Sequence, residues 1–338
     1  MKTILITGGA GFIGSNFVPY FAEKYKDYHV VNLDKLTYAG DLRNLNECEG
    51  MANYTFVQGD ICDAEHLQSV FAKYDVRGVI HFAAESHVDN SITGPRAFIE
   101  TNITGTFNLL EAARKHWMDG PKKYKADYQN CRFHHISTDE VYGTLGDSGL
   151  FHETTPYAPN SPYSASKASS DFLVRAYHHT YGMNVTTSNC SNNYGPKQHN
   201  EKLIPTIIRK CLAEQSIPVY GKGANVRDWL YVLDHCKAID LIYHVGRVGE
   251  TYNVGGRNEK TNIDIVREIC SILDSKKPRA SGMSYSDLIS FVTDRPGHDL
   301  RYAIDATKLE KELGWTAEEN FASGIIKTVD WFLQRSEV

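Results

Sequence analysis

A strand, a glycine turn and a helix follow one another within the first 25 residues, and that order restricts the fold more than any other feature of the chain. Thr3 to Thr7 reads as a buried strand. It runs into Gly8-Gly9-Ala10-Gly11-Phe12-Ile13-Gly14 and then into a helical stretch from Ser15 to Tyr25. Glycines between a first strand and a first helix let the backbone come close to a pyrophosphate at the positive end of the helix. The next strand, His29 to Leu33, ends in Asp34, which stands 20 positions beyond Gly14 (34 minus 14). At that distance an acidic residue meets the hydroxyls of an adenosine ribose. Its charge repels a 2′-phosphate, so NAD is expected over NADP, with Lys35 next door working slightly against that preference.

The alternation continues with a strand at Tyr54 to Gln58, a helix near Ala64 to Lys73, a strand at Gly78 to Phe82, a helix from Pro95 to His116 and a strand from Cys131 to Ser137. This pattern predicts an α/β fold, a Rossmann-type doubly wound parallel sheet with helices on both faces. Ligands of such sheets bind outside the carboxyl ends of the strands. Gly59-Asp60-Ile61 is therefore expected to border the adenine, and Ala83-Ala84-Glu85-Ser86-His87 to run beneath the cofactor. After about residue 180 the rhythm changes. Gly182 to Ser188 reads as another strand, but Cys190-Ser191-Asn192-Asn193-Tyr194-Gly195-Pro196 is a polar turn with few clear βα units after it. We expect a nucleotide-binding domain over residues 1–190, with a return segment near 229–250, and a smaller mixed α/β substrate-binding domain over most of 191–338. The insert from Trp117 to Asn130, with Gly120-Pro121 and several lysines, is expected to be a surface excursion.

A formal charge of -5 over 338 residues gives no global attraction to nucleic acid or to an anionic membrane surface. The apolar opening run is too short to cross a bilayer and leads into glycines, so a cytoplasmic protein is expected. Seven scattered cysteines lack paired metal-ligand spacing and read as reduced thiols; no metal is expected.

The chemistry concentrates in two segments. Tyr163 and Lys167, four positions apart, share one face of a helix, and the ammonium is expected to lower the phenol from its usual ~10 toward neutrality. Thr138-Asp139-Glu140 adds a carboxyl pair that a simple dehydrogenase does not need. Close like charges tend to split the titration of such a pair, leaving one member ionised and the other neutral. Together these residues suggest an enzyme that oxidises its substrate, removes water from it and reduces it again. Standing alone, each has a structural explanation: a helix-surface pair for Tyr163 and Lys167, a helix cap for Asp139 and Glu140, strand packing for His134 and His135.

With these motifs the chain resembles the extended short-chain dehydrogenase/reductase family, and within it the branch that dehydrates nucleoside-diphosphoglucose. The likeness spans almost the whole sequence. Thr138-Asp139-Glu140 is its narrow mark, and Asp34-Lys35-Leu36-Thr37-Tyr38-Ala39-Gly40, Glu201-Lys202-Leu203-Ile204-Pro205, Arg227-Asp228-Trp229 and Asp294-Arg295-Pro296-Gly297-His298-Asp299 extend it. The resemblance implies dTDP-glucose as substrate, NAD as a cofactor regenerated in each cycle, a homodimer, and an early place in deoxysugar biosynthesis of the rhamnose type. It implies that Tyr163 takes the proton of the sugar 4-hydroxyl during oxidation, that Glu140 removes the proton on carbon 5, and that Asp139 protonates the departing 6-hydroxyl. Thr138 then bonds near the 4-oxygen, and Lys167 orients the nicotinamide ribose.

By the same resemblance Gly8, Gly11, Phe12, Ile13, Gly14, Asp34, Lys35, Thr37, Asp60, Ile61, Ala83, Ala84, Ser86, Thr101, Tyr163, Lys167 and Asn193 meet the cofactor. Ser86, His87, Thr138, Asn192, Lys202, Leu203 and Asn262 meet the substrate, Pro218, Val219 and Tyr220 hold its base, and Arg227, Arg295 and His298 hold its diphosphate. Asn90 and Lys197-Gln198-His199-Asn200 depart from the family pattern near the sugar. A 4-epimerase, a dehydratase of another nucleotide sugar and a non-catalytic NAD-binding regulator remain as alternatives.

Overall fold

The computed structural model describes residues 1–294 and 299–336. Its first half alternates β1 (Lys2–Thr7), α1 (Phe12–Lys24), β2 (Tyr28–Asp34), β3 (Tyr54–Gln58), α2 (Ala64–Tyr74) and β4 (Val76–His81). Next come α3 (Val88–Thr93) and α4 (Arg96–Phe98), which leads through a π-helical stretch, Ile99–Gly105, into α5 (Thr106–Trp117). The hairpin β5 (Met118–Gly120) and β6 (Lys123–Tyr124) precedes β7 (Arg132–Thr138), α6 (Pro162–Tyr181) and β8 (Val185–Cys190).

The remainder comprises β9 (Asn192–Tyr194), α7 (Leu203–Leu212), β10 (Ile217–Tyr220), β11 (Val226–Tyr231), α8 (Val232–Val245), β12 (Thr251–Val254), β13 (Glu259–Thr261), α9 (Asn262–Lys276), β14 (Ile289–Val292), α10 (Thr307–Leu313) and α11 (Phe321–Ser336).

Seven strands form one sheet in the order β12-β8-β7-β4-β1-β2-β3, every neighbouring pair parallel. The order reverses direction between β1 and β4, which opens a crevice at their carboxyl ends. Strand periodicity of two explains why both faces are covered. On β1, Ile4 and Ile6 point to a core shared with Phe17 and Phe21 of α1 and Ile239 of α8, while Leu5 points to the opposite core with Phe71, Leu109, Phe133 and Val174. Each such fully buried side chain contributes about 1.5–3 kcal/mol. The expected doubly wound sheet is therefore present.

A second, smaller body packs α7, α9 and α11 around β13-β11-β9 and β10-β14, with Ile208, Val219, Trp229, Ile269 and Phe321 in its own core. β11 belongs to this small sheet, and the chain re-enters the large sheet through α8 and β12.

Three expectations shift for local reasons. The helix read from Pro95 to His116 contains the π turn, which carries buried Asn102; that amide exchanges hydrogen bonds with the Glu85 backbone (N to Oδ1 2.8 Å, Nδ2 to O 3.0 Å) and donates to Ser166 Oγ at 2.8 Å. The strand read from Gly182 begins only at Val185, because α6 runs to Tyr181 and Gly182, with φ of +71°, ends that helix in the left-handed conformation. The insert is anchored at its start. Trp117 is fully buried and donates its indole N–H to Val76 O at 2.7 Å, and Lys125 donates to the Lys115 and His116 carbonyls at the end of α5.

Candidate active site

One cleft lies along the carboxyl ends of the large sheet. Its nucleotide end is set by close approaches that only glycine permits. Gly8 has φ of +74°, and a β-carbon there would sit 2.5 Å from Ala83 N; one on Gly14 would sit 2.3 Å from Gly8 O. The turn thus presses β1 against β4 and starts α1 at Gly11, with no side chain capping the helix. Its first N–H groups are left to a ligand or solvent, an arrangement suited to an anion. At the end of β2, Asp34 is oriented by two backbone donors, Ala10 N to Oδ2 at 2.9 Å and Leu36 N to Oδ1 at 2.8 Å. Lys35 Nζ lies 2.7 Å from Asp60 Oδ2, so the cation that counted against NAD is answered by a neighbouring carboxylate.

The cofactor residues read from the sequence, from Gly8 through Thr101 to Asn193, all line this cleft. Thr138, Asp139, Glu140, Tyr163 and Lys167 line it too. β7 delivers Thr138 to the sheet edge, and a 3-10 turn, Asp139–Tyr142, follows; Thr138 Oγ1 accepts from Glu140 N at 3.3 Å. α6 is started firmly: Pro162 takes the first position, and Ser161 and Ser164 exchange reciprocal backbone-to-hydroxyl bonds of 3.0 Å. That start fixes the phase of Tyr163 and Lys167 on the helix face turned to β7.

Burial governs the charge states. Asp139 is buried, and desolvation first, then the charge of Glu140 and Asp228, hold its carboxyl well above the usual carboxylate range; its Oδ2 has no hydrogen-bond partner in the protein. Lys167 is brought down to about 8 by burial, against the opposing charge of Asp171, and Nζ donates to Ile136 O at 2.8 Å.

Tyr163 overturns one expectation. Burial, and then the charge of Glu140, push its phenol well above 10.0, and the Thr138 hydroxyl is the hydrogen-bonding group that pulls it down. The helical spacing to Lys167 is present, but desolvation of the phenolate outweighs a lysine whose ammonium is directed to a backbone carbonyl.

On the substrate side the picture divides. Ser86, Asn192 and Lys202 line the cleft, and Lys202 Nζ donates to Ser86 O at 3.1 Å. His87, Leu203, Pro218, Val219, Tyr220, Arg227 and Asn262 are not among the lining residues. His87 Nε2 lies 4.0 Å from Glu201 Oε2, Val219 is turned into the small core, and Tyr220 is exposed on β10. Arg227 is buried, donates to the carbonyls of Val226, Asp299 and Leu300, and stacks 4.2 Å over the Tyr302 ring. Arg295 and His298 lie outside the described residues.

Glu85, read only as part of the segment beneath the cofactor, lines the cleft, as do Cys190 and Ser191, which were given no role, and Gln198, His199 and Glu201, which were noted only as sequence context. Glu85 follows the end of β4, Cys190 ends β8 and Ser191 follows it, the same strand-end rule that located their neighbours. Among the described residues no cluster of three or more His, Cys, Asp or Glu is placed to hold a metal ion, and no helix is long and apolar enough to cross a membrane.

Residues 5–328 match the family described as GDP-mannose 4,6 dehydratase. A dTDP-glucose 4,6-dehydratase of Xanthomonas campestris pv. campestris is 57% identical over 333 residues, covering 98% of this chain and 93% of that one. Among solved structures, the dTDP-glucose 4,6-dehydratase of Bacillus anthracis in complex with NAD is 45% identical, with a TM-score of 0.87 over 100% of this chain and 98% of that one. The Streptomyces venezuelae enzyme of the same name, with NAD and TDP bound, is 44% identical, with a TM-score of 0.88 over 99% and 98% of the two chains. The narrow mark read at Thr138-Asp139-Glu140 and these whole-length similarities agree: the chain belongs to the dTDP-glucose 4,6-dehydratase family of the extended short-chain dehydrogenase/reductases.

Proposed function

We propose that this protein is a NAD-dependent hydro-lyase that converts dTDP-glucose to dTDP-4-keto-6-deoxyglucose and water, an early step toward deoxysugars. The observation that carries the reading is the pairing, in one cleft with Tyr163 and Lys167, of Glu140 with a buried Asp139 whose carboxyl is pushed well above the usual carboxylate range by burial. NAD, when bound, takes a hydride from carbon 4, returns it to carbon 6, and in its oxidised form brings positive charge to the cleft. The uncapped start of α1, the doubly anchored carboxylate of Asp34 and the Lys35–Asp60 pair fit such a dinucleotide without a 2′-phosphate.

The chain's own residues then manage protons. Tyr163 takes the proton of the 4-hydroxyl, with Thr138 steadying the same oxygen. A buried phenol is a weak base until cationic charge stands beside it, and Lys167 supplies part of that charge. The carbonyl formed at carbon 4 acidifies carbon 5, from which Glu140 removes the proton. Asp139, with a carboxyl oxygen that has no partner in the protein, protonates the leaving 6-hydroxyl, and carbon 5 is reprotonated as the hydride reaches carbon 6. Ser86, Asn192 and Lys202, all of which line the cleft, hold the sugar against this set.

We also assign the cofactor to the large-sheet body and the nucleotide sugar mainly to the small one. Phe172 and Ala176 of α6 face outward while Leu173 and Tyr177 pack inward, and the outward pair, with Phe107 and Ile99, supports a homodimer through this helix. Seven unpaired cysteines suit the cytoplasm. Mass spectrometry of the purified protein with dTDP-, UDP-, CDP- and GDP-hexoses, without added reductant, tests the reaction. The expected result is loss of one water from dTDP-glucose with no net NADH; a product of unchanged mass, or no turnover, overturns it.

A further inference from the structure

Lys167 and Asp171 lie one turn apart on α6, and both dock on consecutive residues of β7. Lys167 Nζ donates to Ile136 O at 2.8 Å, and Ser137 Oγ donates to Asp171 Oδ2 at 2.8 Å. The next residue of that strand is Thr138. A second donor, Tyr157 OH, reaches the same carboxylate oxygen at 3.0 Å, and Asn189 Nδ2 holds Tyr157 in turn at 3.1 Å. Asp171 is 5% exposed and Lys167 is 4% exposed, so neither charge is screened by water.

We propose that Asp171 is a positioning residue for the reaction: it locks the helix carrying Tyr163 and Lys167 to the strand that carries Thr138 and leads into Asp139 and Glu140, and it supplies the counter-charge that keeps Lys167 an ammonium. The other groups around the pair are silent. His135, whose Nε2 is 3.1 Å from Asp171 Oδ1, and His81 behind it are held neutral by burial. The Cys190 thiol is pushed up to about 12, and Tyr142 and Tyr157 are pushed above the ordinary phenol range, again by burial. Asp171 itself is raised to about 6 by burial, offset by Lys167, Ser137 and Tyr157, and is therefore ionised at neutral pH. It is the carboxylate set against Lys167.

The catalytic consequence rests on the proposed function, so the test reads Lys167 directly as well as through activity. In the holoenzyme labelled with carbon-13 at the lysine ε-position, the Lys167 resonance is identified by its loss in Lys167→Met and titrated. Asp171→Asn preserves the shape and one acceptor but removes the charge. Its Lys167 midpoint is expected to fall by about one unit or more, and a one-unit fall lowers the ammonium fraction roughly fivefold at pH 8 but only about twofold at pH 7.

The alkaline limb of kcat on dTDP-glucose should move by the same amount with KM unchanged, whereas a merely structural role gives a loss independent of pH. Should Asp171→Asn fail to fold, Asp171→Ser carries the test, since it likewise removes the charge while leaving a hydroxyl for Ser137 and Tyr157. An unmoved midpoint in whichever variant folds overturns the proposal. A wild-type protein that dehydrates no nucleotide sugar overturns the proposed function instead, while the titration still decides the part of Asp171.

Discussion

Asp60 and Asp139 are both aspartates just beyond the carboxyl end of a parallel strand, β3 and β7, and both line the same cleft, yet their carboxyls are displaced in opposite directions. Burial pushes Asp60 up, but the hydrogen bond from Lys35, the Cys62 backbone N–H and the Lys35 charge outweigh it, and the net shift is downward. Asp139 is sunk in the protein beside Glu140 and Asp228, and burial, reinforced by their charge, drives it far upward. The sheet supplies the position; the number of donors within reach decides whether that position becomes a carboxylate or a carboxylic acid. At the nucleotide end the carboxylate is kept an anion by Lys35. At the floor a neutral acid suits a leaving hydroxyl.

The floor should be where chemistry breaks most severely. Tyr163→Phe is expected to lower the dehydration rate by roughly 10²–10⁴-fold, the usual weight of a general base, with NAD retained. The measurement is turnover of dTDP-glucose beside the NAD content of the purified variant, and near-normal turnover would remove Tyr163 from the mechanism. Glu140→Gln separates the two halves of the reaction. Dehydration should again fall by roughly 10²–10⁴-fold, but oxidation at carbon 4 persists, so NADH absorbance should build up on mixing with substrate. Full activity sinks Glu140 as the base at carbon 5.

The same contrast marks what could be read from the residues alone. Everything at the large-sheet edge hangs on strands whose period of two and glycine turn fix both direction and depth, so Gly8, Asp34, Asp60, Ala83 and Thr138 could be placed together from the pattern. The small body offers no such rule. Val219 and Tyr220 are neighbours on β10 with opposite burial, and whether either reaches the nucleotide depends on how β10 pairs with β14, some 70 positions later (289 minus 217 is 72). Arg227 was expected at the diphosphate by resemblance, and its guanidinium is engaged by the carbonyls of Asp299 and Leu300, a partnership created by tertiary packing. The charge states of Tyr163 and Lys167 escaped for the same reason. The spacing of Tyr163 and Lys167 was visible, but the burial that raises one and lowers the other is a property of the assembled sheet.

Asp139→Asn turns the charge state into a stability measurement. A carboxyl whose folded value lies above its unfolded 3.8 binds its proton more tightly when folded, so stability declines as pH rises above that value toward the folded one. The amide carries no such penalty. At pH 7 the variant should melt above the wild type while losing dehydration, by roughly 2–4 °C for each ~1 kcal/mol recovered in a chain of a few hundred residues. The gap should close as pH is taken below 3.8. A variant that melts lower at pH 7 argues for an ionised, well-partnered Asp139.

The smallest effect sharpens the comparison most. Asp60→Asn makes the same chemical change at the other strand end, where the folded value lies below the unfolded 3.8, so the stability it contributes is present above 3.8 and lost as pH falls through the folded value. Lys35 is more than half exposed and screens readily, which limits the loss at pH 7 to less than about 1 kcal/mol. The variant should therefore melt slightly below the wild type at low salt and approach it both in high salt and in acid. One substitution then moves melting up at β7 and down at β3. If both variants moved the same way, the division of the cleft into a neutral floor and an anionic nucleotide end would fail, because a general effect of replacing a strand-end aspartate would account for both.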